Sequence, residues 1–134
     1  MADIHSALIY TMVLVSAADE DMTDSELKIM GGIVRYLPVF RDYDVNNLPN
    51  TARECVELVS DSDGLDKALK IIVDSLPERL RETAYAIACD VAAADGRASQ
   101  EELRFLELLR HRLEVGRLPA AAIERAARAR HQTA

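Results

Sequence analysis

Apolar positions along this chain recur at three- and four-residue steps, the spacing of helices packed by one face. Asp3 to Ala18 contains neither Pro nor Gly and is apolar nearly all round, through Ile4, Leu8, Ile9, Met12, Val13, Leu14 and Val15. A helix with no polar face belongs at the centre of a bundle. Glu78 to Ala94 starts just after Pro77 and runs into Ala84-Tyr85-Ala86-Ile87-Ala88-Cys89, whose small side chains let another helix come close. Neither segment alternates as a strand would. The two are predicted to be the most buried helices and to lie against each other.

Amphipathic helices follow each of them. Leu27, Met30, Ile33, Val34 and Leu37 form one stripe, ended by Pro38; Leu103, Leu106, Leu109 and Leu113 form another, which Gly116 is expected to terminate. Pro38 to Asn50, with Asp42, Asp44, Asn46, Asn47 and Pro49, reads as a loop, and loops of that length are more often functional or mobile than idle. Two shorter helices fill the middle. Thr51 to Val59 groups Ala52, Cys55, Val56 and Val59, and Leu65 to Leu76 groups Leu65, Leu69, Ile72, Val73 and Leu76. A last helix opens at Pro119, runs to about Arg130 and shows Ile123, Ala126 and Ala127 on one side. The expected fold is all-α: one multihelical domain over residues 1–134 with about seven helices, two of them central.

One short phrase occurs twice. Ala17-Ala18-Asp19, Thr23 and Glu26-Leu27-Lys28 return as Ala93-Ala94-Asp95, Ser99 and Glu102-Leu103-Arg104, at a single offset of 76 without a gap. The same offset pairs Val15 with Val91, Ile33 with Leu109 and Leu37 with Leu113. A match that extends past the motif on both sides points to an internal duplication of a helix–acidic turn–helix unit, with copies at about 4–37 and 80–113. If the copies are related by an approximate two-fold, the two acidic turns come together.

Composition sharpens this picture. Aromatics are only 4% and Trp is absent, so Ala, Leu, Ile and Val must fill the core, which favours close helix packing. The net charge of −7 is uneven: residues 1–66 carry a net −9 and residues 67–134 a net +2. That balance argues against nucleic acid as a partner. The basic region from Arg104 to Arg130 leaves open a peripheral contact with an anionic membrane or an acidic protein, although a solvated helix face explains it as well. Ala7 to Ala18 is too short for a transmembrane segment. The start has no basic n-region, and Cys55 and Cys89 have no metal-ligand spacing, so both read as buried thiols of a cytoplasmic protein. His5, His111 and His131 have no Ser or Cys nucleophile in a recognisable arrangement, and no Gly-rich phosphate loop exists, so no enzyme is expected.

The candidate chemistry sits in the repeated turns. Thr23 to Glu26 and Ser99 to Glu102 fit the capping box, in which hydroxyl and carboxylate each bond the other's backbone amide. Gly96 suits a left-handed turn. Capping thus explains every residue type there except the Asp, which can itself bond turn amides. The alternative is a hard divalent cation. Asp19 with Glu26, and Asp95 with Glu102, stand at the two ends of tight turns and offer oxygen ligands for calcium or magnesium. Glu20, Asp21 and Asp24 bring the first turn to five acids in eight residues, a crowding that a cation relieves. The EF-hand frame does not fit: begun at Asp19, it has Asp24 where Gly is needed and Met30 where the bidentate Glu belongs. Asp90, the lone acid in its Ala-rich run, is expected to pair with Arg79, Arg81, Arg97 or a backbone amide, or else to join the acidic site.

The second copy, Ala94-Asp95-Gly96-Arg97-Ala98-Ser99-Gln100-Glu101-Glu102, after an Ala-rich helix in an all-α chain of this size, resembles the tellurite-resistance TerB-like family. The first copy departs from the pattern, with Glu20 in place of Gly. The resemblance covers most of residues 4–115. It implies two long central helices, a role in stress or metal resistance, and an acidic divalent-cation site whose ligands by position are Asp19, Glu26, Asp95 and Glu102. A related domain forms the N-terminal part of a membrane-anchored DnaJ-type co-chaperone, which implies a protein partner as the alternative to metal.

Overall fold

The computed structural model describes residues 3–18, 23–94, 96 and 98–134. Seven α-helices make up the described chain, with no strand among the described residues: α1 Ile4–Ala17, α2 Asp24–Tyr36, α3 Leu48–Leu58, α4 Gly64–Ser75, α5 Arg81–Ala92, α6 Gln100–Leu113 and α7 Arg117–Arg130. Helix α1 begins where Asp3 caps it by accepting the Ser6 amide at 2.7 Å, and that hydrogen bond holds the Asp3 pKa below its ordinary value. From Ala7 to Ser16 the helix is buried on every side. It is wrapped by α3, α4, α5 and α6.

Helix α5 is the second centre, packed on α1, α2, α6 and α7. Ala84, Ala88 and Ala92 recur at four-residue steps and are buried, so one ridge of α5 carries only methyl groups. The helix starts at Arg81 rather than Glu78, because Glu78–Leu80 forms a single 3₁₀ turn after Pro77. The surroundings of the two repeated turns differ. Helix α6 lies along α5, the helix it follows, whereas the main helix contact of α2 is with α5 and not with α1.

Pro38 to Asn50 is not a free loop. Pro38–Phe40 and Val45–Asn47 are 3₁₀ turns, and α3 already begins at Leu48, with Pro49 at a first-turn position where a missing amide costs nothing. Phe40 is buried, His5 stacks on it with ring centroids 5.5 Å apart, and Tyr43 closes the cluster edge-on at 5.2 Å from His5. His5 Nε2 also meets the Val39 carbonyl at 2.9 Å. The segment is pinned to α1 by these contacts, which composition alone did not reveal.

Further boundaries shift for local reasons. Gly116 does not end α6; Glu114 takes the left-handed position at φ 56°, and the Val115 amide reaches back to the Arg110 carbonyl at 3.1 Å. The buried Val115 side chain anchors that turn, and Gly116 instead precedes α7, which starts at Arg117. Several positions expected inside lie outside: Val56, Leu65, Leu27 and Leu103 are exposed, as is Ala126, while Ala120 and Ala127 form the buried side of α7.

Two substitutions test this packing. Ala88→Arg places a guanidinium where a methyl is fully enclosed and abolishes the cooperative thermal transition, whereas Ala121→Arg, on the exposed side of α7, changes stability by less than about 0.5 kcal/mol. At Gly64 a Cβ would collide with the Leu58 carbonyl oxygen and sit 2.6 Å from the Val59 Cα. Gly64→Ala therefore lowers stability by about 1–3 kcal/mol in urea denaturation.

Candidate functional site

Both repeated turns deliver the chain into a helix through the same pair of hydrogen bonds. At the start of α2 the Glu26 amide donates to Thr23 Oγ1 at 3.1 Å and the Thr23 amide donates to Glu26 Oε1 at 3.0 Å. At the start of α6 the Glu102 amide donates to Ser99 Oγ at 3.1 Å and the Ser99 amide to Glu102 Oε1 at 2.9 Å. Glu26 and Glu102 are 2% and 4% exposed, so each capping box is sunk into the protein rather than lying on its surface. An amide donor and the positive end of a helix dipole face each carboxylate, which suits a buried negative charge. Gly96, at φ 79°, supplies the left-handed bend before the second box.

Around these boxes stand exposed acids, Asp24 in the first turn of α2 and Glu101 in the first turn of α6. Asp19, Glu20, Asp21 and Asp95 lie outside the described residues, as does Arg97. Among the described residues no group of three or more His, Cys, Asp or Glu is placed to hold a metal ion. What the structure brings to the turns is therefore one buried glutamate each, already fixed by its cap.

Asp90 is elsewhere. Its carboxylate, on the last turn of α5, pairs with Arg130, and His131 Nε2 lies 3.4 Å away. Neither Arg79 nor Arg81 is its partner. The pairing arises because α7 folds back along α5, a long-range contact that no local spacing encodes.

A cavity that sequence reasoning missed lies among α5, α6 and α7. It is lined by Tyr85 and Cys89 from α5, Leu103 and Leu106 from α6, and Glu124 and Ala127 from α7. The Tyr85 hydroxyl donates to Glu124 Oε2 at 2.6 Å, and burial pushes the phenol's pKa up. Burial likewise raises Cys89, and Cys55 at the α1–α3 contact, to about 12, so both thiols stay protonated. One signal was available beforehand: Glu124 is the only acid in Arg117–Arg130.

Comparison with known proteins gives one match. Residues 5–127, nearly the whole chain, match the family model described as tellurite resistance protein TerB. No curated protein and no solved structure shows a significant match. Among the described residues no helix is long and apolar enough to cross a membrane.

The caps carry a measurable load whatever the turns bind. Thr23→Ala and Ser99→Ala each remove the hydroxyl that satisfies an otherwise orphaned amide, and each lowers unfolding free energy by about 1 kcal/mol. The urea midpoint falls with its slope unchanged, and Thr23→Ser retains most of the stability.

Proposed function

Because the chain belongs to the TerB family, we propose that it is a non-enzymatic, tellurite-resistance-related domain whose two capped turns form an acidic surface responsive to divalent cations. The observation that carries this reading is the pair of buried glutamates, Glu26 and Glu102, held at equivalent places by equivalent hydrogen bonds. Capping alone does not require the carboxylates to be so deeply enclosed, since a capping box works as well at a wet surface. Asp19 and Asp95, seven residues before each glutamate, are the ligands that would complete the set, with Glu20, Asp21 and Asp24 crowding the first turn. Calcium or magnesium suits oxygen donors of this kind. A cation there relieves repulsion among the acids, so that binding tightens the helix junctions. A cytoplasmic setting, where such metals and stresses are met, completes the proposal.

A second reading has its own observation. Leu27 and Leu103, each in the first turn or so after a capping box, remain 50% and 48% exposed. Large apolar side chains kept at the surface beside an acidic turn suit a protein partner, with the turns serving only as caps.

Calorimetry and thermal denaturation with calcium, magnesium, manganese and zinc separate the two. On the cation reading, metal releases or absorbs heat and raises the transition temperature, because a ligand of the folded form alone must stabilise it. Asp19→Asn and Asp95→Asn then weaken binding at least about tenfold while leaving metal-free stability unchanged or higher. Absence of heat and of any stability change at millimolar metal overturns it and leaves the interaction reading.

A further inference from the structure

Helix α7 is attached to the protein by less apolar surface than its length allows. Its sequence holds six alanines, with Leu118 and Ile123 as its branched aliphatic side chains, and Leu118 is 82% exposed. Ala120 and Ala127 are its buried residues, and Ile123 is partly buried beside them. The helix rests mainly on α5. Helices α6 and α7 face each other across the cavity of about 630 Å³, with Leu103 and Leu106 on one wall and Ala127 on the other.

Polar ties complete the attachment. Tyr85 donates to Glu124 at 2.6 Å, and Asp90 meets Arg130, with His131 Nε2 3.4 Å away. Lifting α7 as a whole breaks these ties at low cost. Glu124 and Arg130 are exposed already, and water takes their places at the Tyr85 hydroxyl and the Asp90 carboxylate, so no polar group is stranded. The near end of the helix has a fixed anchor. Val115 is buried, its amide reaches the Arg110 carbonyl at 3.1 Å, and its own carbonyl accepts from Arg110 Nη1 at 3.2 Å. The end of α6 is thereby held, and Gly116 is the joint between it and the first residue of α7.

We propose that α7 is a lid hinged at Gly116, which lifts from α5 as a unit while the core around α1 stays folded. An element with little buried apolar surface opens at lower free energy than the core it covers. Lifting uncovers the face of α5 that carries Tyr85 and Cys89, 2% and 4% exposed with the lid down. That face then joins the Leu103 and Leu106 wall in one groove. Cys89 reports the motion, since it lines the cavity together with Glu124 and Ala127. Cys55 reports the core: it is fully buried where α3 meets α1, against the Tyr10 carbonyl. Burial holds both thiols protonated, so each reacts only while uncovered.

Iodoacetamide labelling of the full chain at about pH 8 tests it, with both cysteines followed by mass spectrometry in one sample. Cys89 is expected to label at least about tenfold faster than Cys55. Low urea speeds Cys55 and hardly alters Cys89, because a local opening exposes little surface. Two variants separate the lid from the core. Ala120→Gly removes a buried methyl from α7 away from the cavity wall, and raises the Cys89 rate at least about threefold. Ile72→Val, in the buried face of α4, raises the Cys55 rate about two- to tenfold and leaves the Cys89 rate unchanged, since the core is intact when the lid is up. Equal rates with equal urea dependence, or an Ile72→Val variant that speeds both cysteines alike, overturn the proposal, because Cys89 is then uncovered only by global unfolding. Fast Cys89 labelling that Ala120→Gly does not alter also overturns it, because the reagent then enters the cavity with α7 seated.

Discussion

Helix α1 has no polar face with which to meet water, so it must be enclosed, and the small side chains of α5 make the enclosure close. Leu8, Met12 and Val15 are fully buried, and α5 carries Ala84, Ala88 and Val91 fully buried in turn. Bulk on one helix and methyls on the other allow a short interaxial distance without the voids that two bulky ridges would leave. Every other helix is placed by this contact. Helices α3 and α4 cover the rest of α1, α2 and α7 cover α5, and α6 reaches both. Ring-on-ring packing gathers His5, Phe40 and Tyr43 at one end of α1, while Tyr10, Tyr85 and Phe105 are buried elsewhere in the core.

Two capped turns feed chain out of this core, and each hides a glutamate. Removing a carboxylate from water costs several kcal/mol unless donors replace the lost solvation. The cap amide supplies such a donor at each turn, so the cap and the burial depend on each other. Glutamine would keep the reciprocal bond, since it too accepts from the cap amide. The reciprocal bond of the helix start is therefore met by either side chain.

The parts of the fold that obey a local rule were legible in the sequence. The all-round apolar run of α1, the Ala ridge of α5 and the stripes of α2 and α6 follow from periodicity alone, and all four are helices close to the expected bounds. Where long-range contacts decide, the sequence was silent. Pro49 reads as a break until α3 shows it seated in a first turn. Gly116 reads as a helix end until the buried Val115 pulls Glu114 into the left-handed position. Asp90 could be seen to need a partner, but Arg130 is 40 residues away and reaches it only through the return of α7. Leu27 and Leu103 fit an apolar stripe yet stay half exposed, because a stripe of period 3.6 is wider than the surface it packs on. Of the candidate site, the glutamates and their hydroxyl partners could be named from spacing. The Tyr85–Glu124 pair could not, since it joins two helices 39 residues apart.

Helix α7 shows how little apolar burial a helix needs when its polar ties are well placed. Ala120 and Ala127 are its buried residues, and a methyl contributes only about 0.8 kcal/mol. Ile123 adds a partly buried apolar contact, and the other ties are polar: Glu124 to the Tyr85 hydroxyl, and Arg130 with His131 to Asp90. These ties sit one turn or more apart along α5, so together they fix both the position and the rotation of α7 on it. A hydroxyl buried as deeply as that of Tyr85 cannot be left without a partner, and Glu124 is the group that meets this need. The same tie holds one wall of the cavity in place.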